Sequence, residues 1–423
     1  MIFLSLIFIY KFLYINISIF TKFCHKIRFI LTIMMKNKVL VIFKYSRPWN
    51  ANVVNTFSKY YDTEYLYISD YANKNFVEIV NEINNLIKSK NIEIIVFDVD
   101  YFKFINFFFI EKIIGKKKII VTGDDFDQHE IHSITASACD LVLSHDPFSV
   151  LKFKEKGYEA HMINFEKSDF KNIAKQKEVD VLFFGHLTSD RTQFLEYISK
   201  EGISVKNVGH LGHVEGLPRD DLVDLISKSK IVLNFTKSRT TSVLNYASES
   251  IYRFYYQFKG RISLSGMIGT ACVSEYSPGQ EIIFKDDELK TFFTKEECVQ
   301  ILKKLLSDKQ LLEQYTKKFT TRVYELWNDK KSFESIYNAI EKSNHRKVKL
   351  IKFPYWYLRI AAKQIMLRNI KLSNLIKTIS QFSVIFSIIR KSSLLIKFLI
   401  LSESIINILW YGIASTIKSR KNV

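Results

Sequence analysis

Short apolar runs alternate with longer segments of helical periodicity from residue 36 to about residue 340. The short runs predict β-strands, and segments with an apolar residue at every third or fourth position predict helices. Strands that alternate with helices are typical of a parallel sheet covered by helices on both faces. The predicted strands fall into two sets: 38–43, 65–68, 92–97, 118–122 and 140–144, then 179–184, 205–208, 231–235 and 270–274.

A polar segment, residues 167–177, separates the two sets and has the composition of a linker. We therefore predict an α/β protein with two Rossmann-like, doubly wound domains that face a cleft. The N-terminal domain is expected at residues 35–170 and the C-terminal domain at residues 178–345.

The positive charge of the chain lies at its two ends. Residues 346–423 contain 15 Lys and Arg against one acid, Glu403, and residues 1–34 contain four cations and no acid. The segment between them has 43 cations and 42 acids, so the predicted domains are almost neutral. A nucleic-acid-binding module usually carries its basic face on the folded domain, so nucleic acid is not expected as a partner. Basic, apolar ends instead indicate an anionic membrane surface.

Each end allows more than one interpretation. Residues 2–20 approach the length of a membrane span, so the leader 1–34 is either an anchor or the result of a mis-assigned start before Met34 and Met35. Residues 346–423 predict basic amphipathic helices that associate with a membrane, with the aromatic residues 353–357 in the headgroup layer. Glu403 argues against a span there, and packing of these helices back onto the protein stays open.

The stretch Tyr255–Phe284 combines two cations with a strand end. A predicted helix carries Lys259 and Arg261, and the strand that follows ends at Glu275. Ligands of open α/β sheets bind beyond the carboxyl ends of the strands. Two cations at that place can hold a diphosphate, and a carboxylate can accept hydrogen bonds from sugar or ribose hydroxyls.

Other strand ends of the chain also carry candidate residues. Gly185 ends the first strand of the second domain and allows close backbone approach, and Arg191 follows at the start of a helix, where phosphate can bind. In the first domain, Asp124 and Asp125 follow a strand and are candidates for a general base, with an N-terminal cap of a helix as the alternative.

Metal chemistry has weak support in the sequence. The pair Asp98 and Asp100 resembles a metal-binding DxD motif, but strand ends often carry acids for loop capping. His129 and His132 are spaced to share a helix face, but no third ligand is evident. The four cysteines show no metal-binding spacing and indicate reduced thiols. We expect no bound metal and no cofactor.

Residues 178–330 resemble the C-terminal domain of GT-B-fold glycosyltransferases, in the group-1 branch that includes spore-maturation-type enzymes. The resemblance rests on DVLFFG (180–185), KIVLNF (230–235), QFKGRI (257–262) and SEYSPGQEIIF (274–284). It implies a nucleotide-diphosphate-sugar donor on the second domain, an acceptor on the first and no divalent metal. It further implies a diphosphate role for Arg191, Lys259 and Arg261, and a donor-hydroxyl role for Glu275.

One position departs from the family pattern. Members often carry a glutamate three residues after the arginine, and this chain has Leu264 there. Either Glu275 or Glu281 takes its place, or donor recognition differs, or activity is lost.

The resemblance and the basic ends together predict a membrane-associated glycosyltransferase of surface polysaccharide or lipopolysaccharide synthesis. Its acceptor is expected to be a saccharide or a lipid-linked saccharide, and its place the cytoplasmic face of the inner or plasma membrane, peripheral or anchored by residues 2–20. The alternatives are a sugar-nucleotide epimerase of the same fold and a sugar-nucleotide-binding membrane protein without catalysis.

Overall fold

The computed structural model describes the chain from residue 37 to residue 406 with internal gaps. The described residues are 37–47, 50–99, 104–123, 125–164, 176–210, 217–237, 257–327, 329–343, 353–366, 375–390 and 392–406. The leader 1–34 lies outside them, as do Asp100 and Asp124.

Six parallel strands form the sheet of the first domain, in the order β2-β1-β3-β4-β5-β6. They are β1 (Lys38–Phe43), β2 (Asp62–Tyr67), β3 (Ile94–Val99), β4 (Lys117–Thr122), β5 (Leu141–Ser144) and β6 (Ala160–Met162). Every residue of β3 is buried. Helices cover both faces of a parallel sheet, so central strands are apolar throughout, and this explains the continuous β-branched runs of the sequence.

Five helices connect these strands: α1 (Asn50–Ser58), α2 (Phe76–Lys90), α3 (Phe107–Lys112), α4 (Asp125–Ala136) and α5 (Pro147–Glu155). A capping box defines the start of α2, because the Asn75 side chain accepts from the Glu78 amide and Glu78 accepts from the Asn75 amide. These two bonds satisfy amide groups that a helix start otherwise leaves unpaired.

The sheet of the second domain has five parallel strands in the order β11-β10-β9-β7-β8. They are β7 (Val179–His186), β8 (Val205–His210), β9 (Ser229–Asn234), β10 (Ala271–Glu275) and β11 (Lys290–Phe292). If the strands of each domain are numbered from its own first strand, both sheets have the order 2-1-3-4-5, and the first domain adds a sixth strand at the end. The predicted fold class, two doubly wound parallel sheets, is confirmed.

Helices α6 (Ser189–Lys200), α7 (Arg219–Ser227), α8 (Gly260–Ile268), α9 (Pro278–Ile283), α10 (Lys295–Ser307) and α11 (Lys309–Trp327) complete this domain. Helix α8 packs against α11 at very short range, since a Cβ atom on Gly266 would lie 2.4 Å from Val323 Cγ2. The sequence pattern did not predict the short helix α9, which begins at Pro278.

The C-terminal helices return to the first domain. They are α12 (Asp329–Lys342), α13 (Tyr355–Met366), α14 (Leu375–Ile389) and a last helix at residues 394–406. Phe333 of α12 stacks on Tyr60, with ring centroids 4.4 Å apart. Helix α12 therefore packs on the first domain although its sequence follows the second.

Tyr357 of α13 lies in the core of the first domain, and Phe353, just before this helix, packs against that core. Tyr357 is fully buried, and its hydroxyl accepts a hydrogen bond from the Phe107 amide at 2.9 Å. Phe353 packs on Phe107 with ring centroids 4.8 Å apart. Of the aromatic residues expected in a headgroup layer, Phe353 and Tyr357 thus pack in a protein core, whereas Tyr355 is exposed. Among the described residues, no helix combines the length and hydropathy that a bilayer crossing requires.

Candidate functional site

The candidate site lies where the order of the second sheet reverses. Strand β7 has β8 on one side and β9 on the other, so the chain leaves β7 and β9 toward opposite sides and opens a crevice at their carboxyl ends. Gly185 near the end of β7 and Asn234 at the end of β9 border this crevice. The start of α8 and the end of β10 bring Arg261 and Glu275 to the same place.

Arg261 crosses the ends of both strands. Its Nη1 donates to Asn234 Oδ1 at 2.8 Å and to the Phe235 carbonyl at 3.1 Å. The Asn234 side chain is itself held by a 2.8 Å hydrogen bond from its Nδ2 to Ser274 Oγ. The guanidinium is therefore fixed in position by the main chain of β9 and by an oriented amide, which suits a group that must meet an anion without rearrangement.

Gly185 leaves the space that the Arg261 guanidinium occupies. Its φ is +109°, which L-residues rarely adopt, and a Cβ atom there would lie 2.8 Å from Nη2 and 3.1 Å from Nε of Arg261. The sequence predicted close backbone approach at this glycine. The structure identifies Arg261 as the group that approaches.

Glu275 fixes the loop that follows β9. Its Oε2 accepts from the main-chain amides of Thr236 at 2.9 Å and Lys237 at 3.0 Å. The carboxylate thereby holds this loop against the end of β10. No local pattern indicates this contact, because the two amides belong to a different strand-to-helix connection.

Arg191 braces the same loop from the other side. Its Nη1 donates to the His186 carbonyl and its Nη2 to the Lys237 carbonyl, both at 2.8 Å. The side chain is 7% exposed, and burial lowers the pKa of its guanidinium, whereas the charge of Glu275 raises it. Arg191 therefore links the end of β7 to the loop that follows β9, and the phosphate-binding role predicted for it stays a prediction.

Lys259 and Glu281 are the remaining charged candidates of the second domain. Lys259 is the residue before α8, and its Nζ donates to Gln257 Oε1 at 2.7 Å. Glu281 is exposed on α9 and hydrogen-bonds the phenol of Tyr276. Burial, followed by this bond, raises the pKa of Tyr276. The Tyr276 ring stacks on Phe293, with centroids 4.5 Å apart.

The position at which related enzymes carry a glutamate is apolar in this fold. Leu264 is 4% exposed and packs in a cluster with Leu182, Phe184 and Val232. A carboxylate at this position would be buried among apolar side chains without a partner, which is costly. The two candidate replacements, Glu275 and Glu281, both lie at the end of β10 and the start of α9.

Asp125 in the first domain is the centre of a buried hydrogen-bond network. Its Oδ1 lies 2.7 Å from His132 Nδ1, and its Oδ2 accepts from Thr122 Oγ1 at 2.6 Å and from Ser144 Oγ. Burial by itself raises the pKa of the Asp125 carboxyl, but the His132 bond and the other polar contacts outweigh it and the pKa is lowered. With 1% exposure, the carboxylate ties the ends of β4 and β5 together.

His129 and His132, which their spacing places on one helix face, are both buried. His132 is fully buried against Asp125, and the His129 ring packs on Phe153 with centroids 4.5 Å apart. Within the described residues, no group of three or more His, Cys, Asp or Glu is placed to hold a metal ion. Asp98 of the DxD motif is 6% exposed in β3, and its partner Asp100 lies outside the described residues.

Lowering the pH is expected to destabilise the protein through His129. Burial lowers its pKa to about 3, whereas the pKa of a histidine in an unfolded chain is about 6.5. Between these two pH values only the unfolded state takes up a proton. The free energy of unfolding therefore decreases as the pH is lowered, by up to about 1.4 kcal/mol per pH unit. Urea unfolding at about pH 7.5 and about pH 5 measures this loss. His129→Leu should reduce the pH dependence, and a matched change at the more exposed His161 should not; an unchanged slope in His129→Leu would refute the assignment.

Asp146 joins the two domains beside the candidate site. It is 1% exposed and precedes α5, where its Oδ2 accepts from the Ser149 amide at 3.0 Å. Its Oδ1 accepts from the main-chain amide of Phe258, in the segment that leads to Lys259 and Arg261. Helices α5 and α9 pack against each other here, and a Cβ atom on Gly279 would lie 2.8 Å from Asp146 Oδ1.

Removing the Asp146 carboxylate should loosen this junction. Asp146→Ala deletes a helix cap and leaves the Phe258 amide unpaired, so we expect a loss of about 2 kcal/mol or more in unfolding free energy. Asp146→Asn keeps an acceptor oxygen and should recover most of it. The matched control is Asn75→Ala, which removes the cap of α2 and is expected to cost about 1 kcal/mol without changing activity. Equal stability of Asp146→Ala and the wild type in guanidinium unfolding would contradict this account.

A family model matches the domain that contains this site. Residues 171–332 match the family model described as glycosyl transferase-like. No curated protein matches the chain.

Among solved structures, the fold is similar to the Anabaena protein HepE in complex with UDP and glucose, with 11% identity over 72% of this chain and 99% of that chain and a TM-score of 0.49. It is also similar to a glycosyltransferase from Rickettsia africae, with 12% identity over 73% of this chain and 100% of that chain and a TM-score of 0.47. At such values these similarities carry no functional argument.

Proposed function

Residues 171–332 form a glycosyl transferase-like domain, and from this premise we propose that the protein transfers a sugar from a nucleotide-diphosphate sugar to a saccharide or lipid-linked acceptor. The donor occupies the crevice of the second sheet. The acceptor faces it from the first domain. We place the enzyme peripherally at the cytoplasmic face of a membrane, in the synthesis of a cell-surface polysaccharide or lipopolysaccharide.

The main support for this proposal is the position of the Arg261 guanidinium against Gly185. A guanidinium held across two strand ends by Asn234 Oδ1 and the Phe235 carbonyl is pre-organised for an anionic group of the donor. Lys259 directly precedes the same helix and supplies a second cation. In our proposal these two side chains bind the diphosphate, Arg191 and Gly185 position them, and Glu275 or Glu281 binds a hydroxyl of the donor.

The reaction is a substitution at the anomeric carbon of the donor sugar. A hydroxyl oxygen of the acceptor forms the new bond, and the bond to the diphosphate oxygen breaks. The nucleoside diphosphate leaves with the bonding electron pair, and the cations offset the charge that develops on it. The hydroxyl proton passes to a carboxylate at the end of β4. Because Asp125 is engaged in a buried network, we assign this step to Asp124 and give Asp125 the role of fixing the loop.

A donor panel assayed for nucleotide release tests the proposal. We expect one nucleotide sugar to release its nucleoside diphosphate only when an acceptor saccharide is present, because transfer needs both substrates. Conversion of the donor into an isomeric sugar without acceptor would identify an epimerase. Calorimetric binding of a donor without turnover under any acceptor would identify a binding protein. Either outcome rejects the transferase.

A further inference from the structure

The helix at residues 394–406 turns its large apolar side chains toward solvent. Leu394 is 84% exposed, Phe398 68% and Ile406 64%. Six such side chains share one side of this helix, and we refer to them as the apolar face: Leu394, Leu395, Phe398, Leu399, Ile405 and Ile406. Soluble monomers rarely expose a continuous apolar patch of this kind, and one marks an interaction site.

The other side of the same helix packs on the first domain. Ile400 is 1% exposed and belongs to the apolar core that contains Tyr357 of α13 and Ile388 of α14. Ser404 is buried as well, at 4% exposure. The helix is therefore held in a fixed orientation by the domain, and its apolar face is a feature of the folded protein.

The C-terminal sequence that contains the apolar face is strongly basic. Glu403 is the only acid in residues 346–423, and its Oε2 accepts from Arg359 Nε of α13 at 2.6 Å. Arg359 thus neutralises the Glu403 carboxylate, and the other charged residues of 346–423 are Lys and Arg. Lys363 and Arg390 are exposed on the neighbouring helices. Cations beside an apolar surface match the negative headgroups of a bilayer, and like charges oppose pairing with a second copy of the chain.

We propose that the apolar face of residues 394–406 docks the first domain onto an anionic lipid bilayer. Because the first domain carries the acceptor in the proposed function, on which this extension rests, docking through it places the acceptor side of the cleft next to the lipid. The acceptor class that fits this arrangement is a lipid-linked saccharide. The neighbouring helices α13 and α14 pack on the first domain and support the helix at residues 394–406.

Vesicle binding of the full-length protein tests the docking. The variant Leu395→Gln/Phe398→Gln replaces two exposed side chains of the apolar face. We expect at least about a tenfold loss of partition onto equimolar phosphatidylcholine–phosphatidylserine vesicles, because partition scales with the apolar area buried in the interface. Leu217→Gln, at an exposed leucine of the second domain, is the matched control and should bind as the wild type does.

Three outcomes would overturn the proposal. They are wild-type binding by the double variant, equal binding to pure phosphatidylcholine vesicles, and a wild-type dimer in sedimentation velocity that the variant abolishes while neither protein binds vesicles. Thermal melting identifies a variant that does not fold, and Leu394→Gln/Ile406→Gln then repeats the test on other residues.

The assay does not depend on catalysis. Failure of the donor panel with intact vesicle binding therefore rejects the proposed function alone. If transfer to a water-soluble saccharide persists in the variant while transfer to a lipid-linked saccharide in vesicles falls, the acceptor class is supported. Equal transfer to both acceptors by variant and wild type rejects it.

Discussion

Arg261→Ala is expected to lower kcat/KM for the nucleotide-sugar donor by about a hundredfold or more, since removal of one pre-organised donor to a developing anion costs this much in other enzymes. Arg261 is held over the strand ends by Asn234 and the Phe235 carbonyl, so its charge needs no reorientation when the diphosphate leaves. The measurement is nucleotide release under steady-state conditions, with donor affinity determined by calorimetry.

Two controls separate chemistry from folding at this position. Arg261→Lys keeps the charge but loses the planar guanidinium that bonds two acceptors, so it should recover only part of the activity. Lys318→Ala removes an exposed cation of the same domain, paired with Asp287, and should leave donor turnover unchanged. Wild-type turnover in a folded Arg261→Ala protein would show that the diphosphate lies elsewhere.

Gly185→Ala should impair donor binding almost as strongly as the loss of Arg261, for two reasons. Its φ of +109° strains any L-residue, and the new Cβ atom would lie within 3.3 Å of three atoms of the Arg261 guanidinium. The guanidinium must then move away from the strand ends. We expect a fall of at least about tenfold in donor affinity, together with a lower melting temperature.

A double-mutant cycle isolates the steric part of this effect. Once Arg261 is alanine, the methyl group at position 185 meets no guanidinium, so the double variant should lose little more donor affinity than Arg261→Ala alone. Gly202→Ala is the matched control, because its φ is +83° but no atom lies within 4 Å of the added Cβ. It should lower stability and leave donor affinity intact. Additive losses in the double variant would contradict a direct contact between Gly185 and Arg261.

Interdomain contacts link the donor segment to the first domain. The Phe258 amide binds Asp146, and Arg261 begins its contacts with the strand ends three residues later. A change at Asp146 therefore reaches the donor site through the main chain. The loss of stability expected for Asp146→Ala should be accompanied by a weaker donor affinity, whereas Asn75→Ala should not show it.

The alternation of apolar runs and helical periods was sufficient to predict the two sheets. Strands such as β3 and β9 are buried on both faces and therefore contain continuous apolar runs. Such a run can be recognised in the sequence without knowing which strands lie beside it. The ends of these strands then point to the candidate site, because parallel strands end on the same edge. Short elements at the periphery, such as β6 and α9, have too few residues to produce a period.

The sequence singled out Gly185, Arg191, Arg261 and Glu275, but their roles depend on long-range contacts. Arg191 and Arg261 look alike as cations near strand ends. In the fold, Arg191 is buried with its guanidinium on two carbonyls, and Arg261 lies across Gly185 at the crevice. Asp125 likewise resembles an exposed carboxylate in sequence, yet the fold surrounds it with Thr122, Ser144 and His132.

By itself, the sequence determined the fold class and the basic character of the C-terminal region, because the first follows from local pattern and the second from counting charges. Only the tertiary structure decided which apolar residues of that region face the protein. A helix that packs on a core and a helix that lies on a membrane have the same composition. Tyr357 is buried because it packs into the core of the first domain, whereas Phe398 is exposed because it lies on the side of its helix that faces away from that core. The local sequence pattern does not distinguish the two positions.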